Sequence, residues 1–407
     1  MIRFVFIAVL AAGIAADVYL YKRYVSALAR CRGIRLLYLF AAIVVNGTLP
    51  AMMAADLLLG GDNTTRSMHV SMWITFAYIL LTFPKFVFCL LSFLDVLLER
   101  RGVVGRSHLF ALAGCALSLW AAWGIVRGCI DTRTNIEVTR LEVRSDKLPA
   151  AFDGLRAVFF SDPHIGSLVH PHRSLRAMVD TINSLRPDLV INGGDLVNVR
   201  YTELTPEITG ILAGIKAPHG IYSVLGNHDL GIYIKDSVSL PPHINRDRLI
   251  AKQREMGWHV LCDQTELFTI PERDSTAAIT ITGVNFPEDF LIRQHNPRMV
   301  GADLDKAFAG VSDSLFNLTV SHAPQLWGQL TDRGISDLTL SGHVHSMQMK
   351  FRLFGREFSP ASLLYKQWSG EYRRGDKVLY INDGFGCVGY PIRIGARPEI
   401  TLITLRR

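Results

Sequence analysis

Five short blocks of the chain carry residue types that hold metal ions. Asp162-Pro-His164 comes first, with Pro163 stiffening the turn so that the two side chains can converge on one ion. Gly193-Gly-Asp195 follows; its glycines permit a close turn, and the carboxylate can then bridge two ions. Gly226-Asn-His-Asp229 supplies a neutral amide oxygen at Asn227, and His322, His343 and His345 supply imidazoles. This mixture of oxygen and nitrogen donors suits Mn²⁺, Fe or Zn²⁺ better than Ca²⁺. Two divalent ions about 3.5–4 Å apart can clamp a phosphoryl oxygen and turn a bridging water into a hydroxide nucleophile. Taken singly the blocks are ordinary, since an Asp-x-His is usually a surface turn and a Gly-Asp weaker still. Their joint occurrence in this order is the signal.

Each block follows an apolar run: Leu155–Phe160, Leu189–Asn192, Ile221–Leu225, Leu315–Val320 and Leu338–Leu340. A helical pattern covers Pro171–Leu185. Strands interleaved with helices predict a parallel or mixed sheet covered on both faces, and strand ends are where such sheets place their sites. Ile136–Val143 alternates like a half-buried strand within a connector from Arg127 to about Asp153, and residues 231–257, with Pro241-Pro242, predict an inserted loop or helical flap.

The remaining third of the chain has a different composition. The protein has 407 residues, 49% hydrophobic and only 19% charged, with a net charge of +7. Residues 1–130 hold 12 Lys/Arg and 5 Asp/Glu, so the whole excess lies there, and residues 131–407 are neutral. A neutral module has no bulk attraction to a nucleic-acid strand, and no nucleic-acid partner is expected. Residues 36–55 and 107–126 are each uncharged for 20 positions, 67–84 for 18 and 4–16 for 13. These runs predict about four transmembrane helices in a module over 1–130, with a soluble domain over 131–407. The run 4–16 also fits a signal-peptide core, but the basic residues after it favour an anchor. Lys22, Arg23, Arg30, Arg32 and Arg35, with Arg100, Arg101 and Arg106, make eight cations on one side against Arg3, Arg66 and Arg127 on the other. The positive-inside rule then puts both basic loops in the cytoplasm and residues 131–407 on the periplasmic or extracytoplasmic face of the inner (plasma) membrane. Asp17, Lys85 and Asp95 are expected to lie near helix ends and snorkel. With no C-x-x-C pair a thiolate zinc site is not expected, and whether Cys262 and Cys387 pair is left open.

The five blocks together resemble the signature of the calcineurin-like metallophosphoesterase superfamily: Asp-x-His, Gly-Asp, Gly-Asn-His-Asp/Glu, His, Gly-His-x-His. The resemblance covers residues 136–407. The tail, Tyr380-Ile-Asn-Asp-Gly-Phe-Gly386 with Pro391-Ile-Arg393 and Arg397-Pro-Glu-Ile400, is similar to the end of the YaeI/YkuE-like bacterial phosphohydrolases, whose members are often membrane-attached or exported. The resemblance implies two mixed β-sheets flanked by helices. It assigns Asp162, His164, Asp195 and His345 to one metal, and Asp195, Asn227, His322 and His343 to the other. It places His228 as the histidine that contacts the phosphate and protonates the leaving oxygen, with Asp229 orienting it. Related hydrolases acting on UDP-diacylglucosamine commonly carry Arg at the place of His228, which weakens that substrate assignment.

The expected function is therefore a membrane-anchored, two-metal hydrolase of a phosphomonoester, phosphodiester or pyrophosphate, a membrane lipid or lipid-linked phosphate included. The alternative is a catalytically retired scaffold that binds or senses at the membrane; against it, no signature residue is missing. Arg393 and Arg397 can meet phosphate or pair with Asp383 or Glu399. His170 and His172 follow the first block closely enough to line the pocket, although they match no ligand position.

Overall fold

The computed structural model describes residues 2–58, 65–102, 108–235, 239–286 and 302–407. Arg106, His295 and residues 236–238 of the insert lie outside them. Two compact units make up the described chain, one holding most of residues 1–130 and the other most of 131–407.

The first unit is helical: α1 (Ile2–Leu20), α2 (Arg32–Leu58), α3 (Thr65–Arg100) and α4 (Leu109–Ile130). Three segments are long and apolar enough to cross a membrane by length and composition: Arg32–Ala55, Arg66–Arg100 and Leu109–Thr134. The short run at 4–16 is helical, but it is not among these three, so they bear out three of the four expected spans.

Asp17 and Lys85 do not snorkel. The Lys85 ammonium lies 2.7 Å from Asp17 Oδ2, and both side chains are largely buried. Tyr38 OH donates to Asp17 Oδ1 at 2.9 Å, and Asn46 Nδ2 donates to Oδ2 at 2.6 Å. The carboxylate thus ties α1 to α2 and α3, and a charge that hydrocarbon disfavours is met by a countercharge and two further donors. Asp95 also turns inward. It accepts from Phe110 N at 3.2 Å and Ala111 N at 2.8 Å, meeting donors that the first turn of α4 leaves free.

The second unit holds two six-stranded mixed sheets. The strands are β1 (Glu137–Arg144), β2 (Arg156–Phe160), β3 (Leu189–Asn192), β4 (Ile221–Ser223), β5 (Trp258–Val260), β6 (Gln264–Ile270), β7 (Asp274–Val284), β8 (Asn317–Ser321), β9 (Leu338–Ser341), β10 (Phe351–Leu353), β11 (Arg356–Phe358), β12 (Gly370–Arg374), β13 (Lys377–Ile381) and β14 (Glu399–Arg406). One sheet runs β1-β14-β2-β3-β4-β5 and the other β12-β13-β9-β8-β7-β6, while β10 and β11 form a separate hairpin. β2 to β5 are parallel, as are β7, β8, β9 and β13. β14 is parallel to β1 and antiparallel to β2.

The strands read as unbroken apolar runs because both faces are covered. Ala157 and Phe159 of β2 point into a core shared with Ile281, Val320 and Leu340 of the other sheet. Val158 and Phe160 meet Leu175, Met178 and Ile182 of α5 (Pro171–Ser184), Ile208 and Leu212 of α6 (Pro206–Leu212), and Leu249 of α7 (Pro242–Glu255). The insert therefore contains a helix, and Ile136–Val143 falls on β1, where Leu141 and Val143 are buried and Glu142 and Arg144 exposed. All six cysteines are free, Cys262 and Cys387 included.

Removing one member of the buried pair leaves the other charge without its partner, at a cost of about 3–5 kcal/mol. Lys85→Met should therefore lower the unfolding temperature in detergent, and Asp17→Leu combined with Lys85→Met should recover much of the loss. An additive double variant would show that the pair contributes nothing.

Candidate metal centre

The blocks converge at the carboxyl ends of β2, β3, β4, β8 and β9. Backbone bonds zip the first two together: Asp162 N donates to Gly194 O at 2.9 Å, His164 N to Asp195 O at 3.1 Å and Ile165 N to Leu196 O at 3.1 Å. Five of the residues carrying the chemistry sit at left-handed φ: Asp162 (57°), His164 (44°), Asp195 (53°), His343 (71°) and His345 (52°). A non-glycine residue adopts this region at a cost of about 1–2 kcal/mol, and it persists where surrounding contacts hold it, as active sites do. Two glycines give clearance. A side chain at Gly226 would run into the Asp195 carboxylate, and one at Gly342 into Asp162 and Ser161.

Three groups of side chains offer ligand atoms within 4.8 Å of one another: Asp162, His164 and His345; His164, Asp195 and His228; Asp195, His322 and His343. His345 Nε2 is 2.9 Å from Asp162 Oδ1, and His164 Nε2 is 3.2 Å from His345 Nε2. His343 Nδ1 lies 2.9 Å from Asn227 Oδ1, whose amide nitrogen donates to Tyr233 OH at 2.8 Å. All seven residues expected to hold metal are thus gathered at one place.

His322 tests whether the site fits a cation. Its Nδ1 lies 2.8 Å from the Gly193 carbonyl and can only donate there. In the neutral ring Nε2 is then a lone pair. That nitrogen lies 3.0 Å from Asp195 Oδ2, in a site where both side chains are buried. A neutral ring would set two acceptors against each other, so the site demands positive charge between them, supplied by a proton on Nε2 or by a metal cation that takes its place. Electrostatics report the same demand. Burial pushes the His322 pKa down, yet the Asp195 and Asp162 carboxylates carry it up to about 9. Burial raises Asp195 and Asp162, but the surrounding imidazoles hold both well below the usual carboxylate range. His164 falls to about 4 and His343 to about 3, chiefly through burial, so both are neutral and able to ligate.

Asp229 differs from expectation. Asp229 does not orient His228. Its carboxylate accepts from Gly226 N at 3.0 Å and Val197 N at 3.1 Å, fixing the turn between β4 and the Asp195 loop. Burial, then Asp195, raises its pKa to about 7. The His228 ring is held instead by the Asn198 carbonyl, 2.6 Å from Nδ1, while His228 N donates to Asp195 Oδ1 at 2.8 Å. The ring lies between those of Tyr233 and His164, with centroids 4.3 and 4.6 Å away.

Arg393 does not pair with Asp383 or Glu399 through their carboxylates. Its guanidinium is fully buried and donates to the carbonyls of Gly386, Asp383 and Ala396 and, at 3.3 Å, to His345 Nδ1. Arg397, His170 and His172 are exposed.

Sequence reasoning missed Glu203. This buried carboxylate accepts from Gly166 N (2.8 Å), Asn198 N (2.6 Å), Val199 N (2.7 Å) and Arg200 N (3.1 Å). It fixes the loop whose Asn198 carbonyl holds His228. No motif marks it, since its partners are backbone groups.

Comparison with known proteins agrees with this geometry. A family model described as calcineurin-like phosphoesterase matches residues 155–347. The uncharacterized metallophosphoesterase YkuE of Bacillus subtilis is 27% identical over 298 residues, covering 73% of this chain and 94% of that protein. A transmembrane protein with metallophosphoesterase domain from Danio rerio is 30% identical over 335 residues, 81% of this chain and 71% of the other. The UDP-2,3-diacylglucosamine pyrophosphatase LpxG of Chlamydia trachomatis is 26% identical over 316 residues, 66% of this chain and 88% of the relative. The five blocks, the two mixed sheets that carry them and these relatives together identify the chain as a member of the calcineurin-like phosphoesterase family, a hydrolase acting on phosphoric ester bonds.

Proposed function

We propose that the chain is a membrane-anchored phosphoesterase with a two-metal centre and a catalytic domain spanning 131–407. Asp162, His164, Asp195 and His345 hold one divalent ion; Asp195, Asn227, His322 and His343 hold the other. The observation that carries this reading is the convergence of buried carboxylates and imidazoles on one point, with His322 Nε2 3.0 Å from Asp195 Oδ2. Asp195 also belongs to two of the three ligand groups, as a bridging carboxylate must. Bound there, Mn, Fe or Zn would polarise a phosphoryl oxygen and acidify a water.

The protein's own groups position and move protons. The Asn198 carbonyl fixes Nδ1 of His228 and leaves Nε2 to exchange a proton with the leaving oxygen. Asp229 and Glu203 keep the two loops behind it in place. The substrate is a phosphomonoester, a phosphodiester or a pyrophosphate, one borne on a membrane lipid included, as the pyrophosphatase relative suggests. The Asp17–Lys85 pair supports α1 as a retained fourth span in a module over 1–130, with the catalytic domain on the periplasmic or extracytoplasmic side of the inner membrane.

Asp195→Ala removes the one carboxylate shared by both ions. Metal analysis should show bound metal falling from about two per chain, with turnover of a chromogenic phosphodiester lost. Full occupancy and normal turnover would sink the two-metal reading. His228→Ala should keep its metal yet lose about 10²–10⁴-fold in rate on esters with alkoxide leaving groups, and much less on p-nitrophenyl esters, whose phenolate leaves without a proton. An equal loss on both substrate classes removes the proton-transfer role. For topology, cysteine at Asp376, whose side chain is 77% exposed, should react with an impermeant thiol reagent in intact spheroplasts otherwise lacking reactive cysteines. Cysteine at Ser26 should stay protected until lysis, and the reverse pattern places the site in the cytoplasm.

A further inference from the structure

Past residue 130, ten large apolar side chains of the described residues are exposed, and seven of them fall within 347–364. They are not scattered, and such clustering marks an interaction surface. β10 and β11 form a hairpin that belongs to neither sheet, with Phe351 opposite Phe358 and Leu353 opposite Arg356. All six strand residues are exposed. The tip is Phe354-Gly355, both at positive φ (50° and 78°). Such two-residue turns favour Asn-Gly or Gly-Gly, yet here a phenylalanine takes the strained position and leaves its side chain 95% exposed. Leu363 (85%) and Leu364 (60%) add a second apolar projection beside it in sequence.

The base of this element is fastened to the metal centre. The strand leaves directly from the His345–Gln348 turn. Ser359 Oγ donates to Ser346 O at 2.6 Å, Lys350 N donates to Ile394 O at 2.8 Å, and the Lys350 ammonium pairs with Asp383. Tyr365, next to Leu364, places its ring 6.3 Å from that of His343. The segment that carries Leu363 and Leu364 therefore reaches the edge of the site through Tyr365.

The candidate occupants are a bilayer, a second copy and a soluble partner. Three observations favour the bilayer. Exposed Arg352 and Arg356 flank the apolar tip against a single carboxylate, Glu357, which is the pattern of cations beside aromatic residues at an anionic lipid interface. The chain carries three apolar segments long enough to span, so lipid is part of its surroundings. The polypeptide also enters this unit at the site's edge of the sheet, because β1, parallel to β14, runs opposite to β2 and begins where β2 ends.

We propose that the β10–β11 hairpin, with Leu363 and Leu364, inserts into a lipid leaflet and delivers lipid-borne phosphoesters to the metal centre. The delivery half rests on the phosphoester reading of the site; the insertion half does not.

Both halves are tested on the full chain in vesicles of phosphatidylethanolamine and phosphatidylglycerol, in a background without reactive native cysteines. An environment-sensitive fluorophore on Phe354→Cys should emit as in an apolar medium and be quenched by nitroxide-bearing acyl chains. The same label on Asp376→Cys, at the β12–β13 turn on the opposite sheet edge, should not. Equal, water-like emission at both positions overturns insertion. Disulfide-linked dimers of the unlabelled Phe354→Cys variant assign the surface to a second copy and overturn it as well. Phe354→Asp, and separately Leu364→Asp, should lower kcat/KM on vesicle phospholipid by about tenfold while turnover of a soluble p-nitrophenyl phosphodiester changes less than about twofold. Retained soluble turnover also reports a folded variant. Equal loss on both substrates overturns delivery. A parent protein that hydrolyses neither substrate overturns the phosphoester reading and delivery with it, while the quenching measurement still decides insertion.

Discussion

The centre rests on buried carboxylates and imidazoles crowded together so closely that positive charge must lie among them. The Gly193 carbonyl accepts from Nδ1 of His322 and so turns Nε2 toward the Asp195 carboxylate. Much of the surrounding structure serves to keep that arrangement from relaxing. Asp162, His164, Asp195, His343 and His345 are held in a backbone region that L-residues avoid. Gly226 and Gly342 leave room for carboxylates that any side chain would displace. Two sheets supply the rigidity, each sending its strand ends to the same place. A cation is the element around which these strained and crowded pieces become mutually consistent.

A second layer of control comes from buried carboxylates that hold no imidazole. Asp229 and Glu203 both accept from backbone amides, and each fixes a loop that carries chemistry. Their burial would be costly without those donors. Arg393 is the cationic counterpart: its guanidinium is spent on carbonyls and stiffens the tail against His345. Within the tail, Arg393 thus has a mechanical role.

What could be read beforehand follows from where the information lies. The metal blocks were legible because each is a polar cluster closing an apolar strand, and strand ends converge in sheets of this kind. β1 was legible from its alternation, and α5 from its period. Glu203 and the true partner of Asp229 were not, because backbone amides have no side-chain identity to recognise. The ring of His228 is likewise positioned by a carbonyl. Asp17 and Lys85 appeared as isolated charges near the ends of apolar runs; their pairing depends on how helices distant in sequence pack. The β10–β11 hairpin escaped because strands of three residues carry too little pattern to stand out.

The strand order has a consequence for how the molecule is made. Phe159 of β2 pairs with Thr401 of β14, so a strand near the end of the chain is wedged between β1 and β2. During synthesis, the ribosome delivers β1 and β2 long before the strand that joins them. Until then β2 offers an open edge, the form in which chains pair wrongly or aggregate. Closing so long a loop is also slow. The first sheet is thus completed from its interior last, and the candidate metal ligands that follow β2 and β3 wait on the arrival of residues outside the ligand groups.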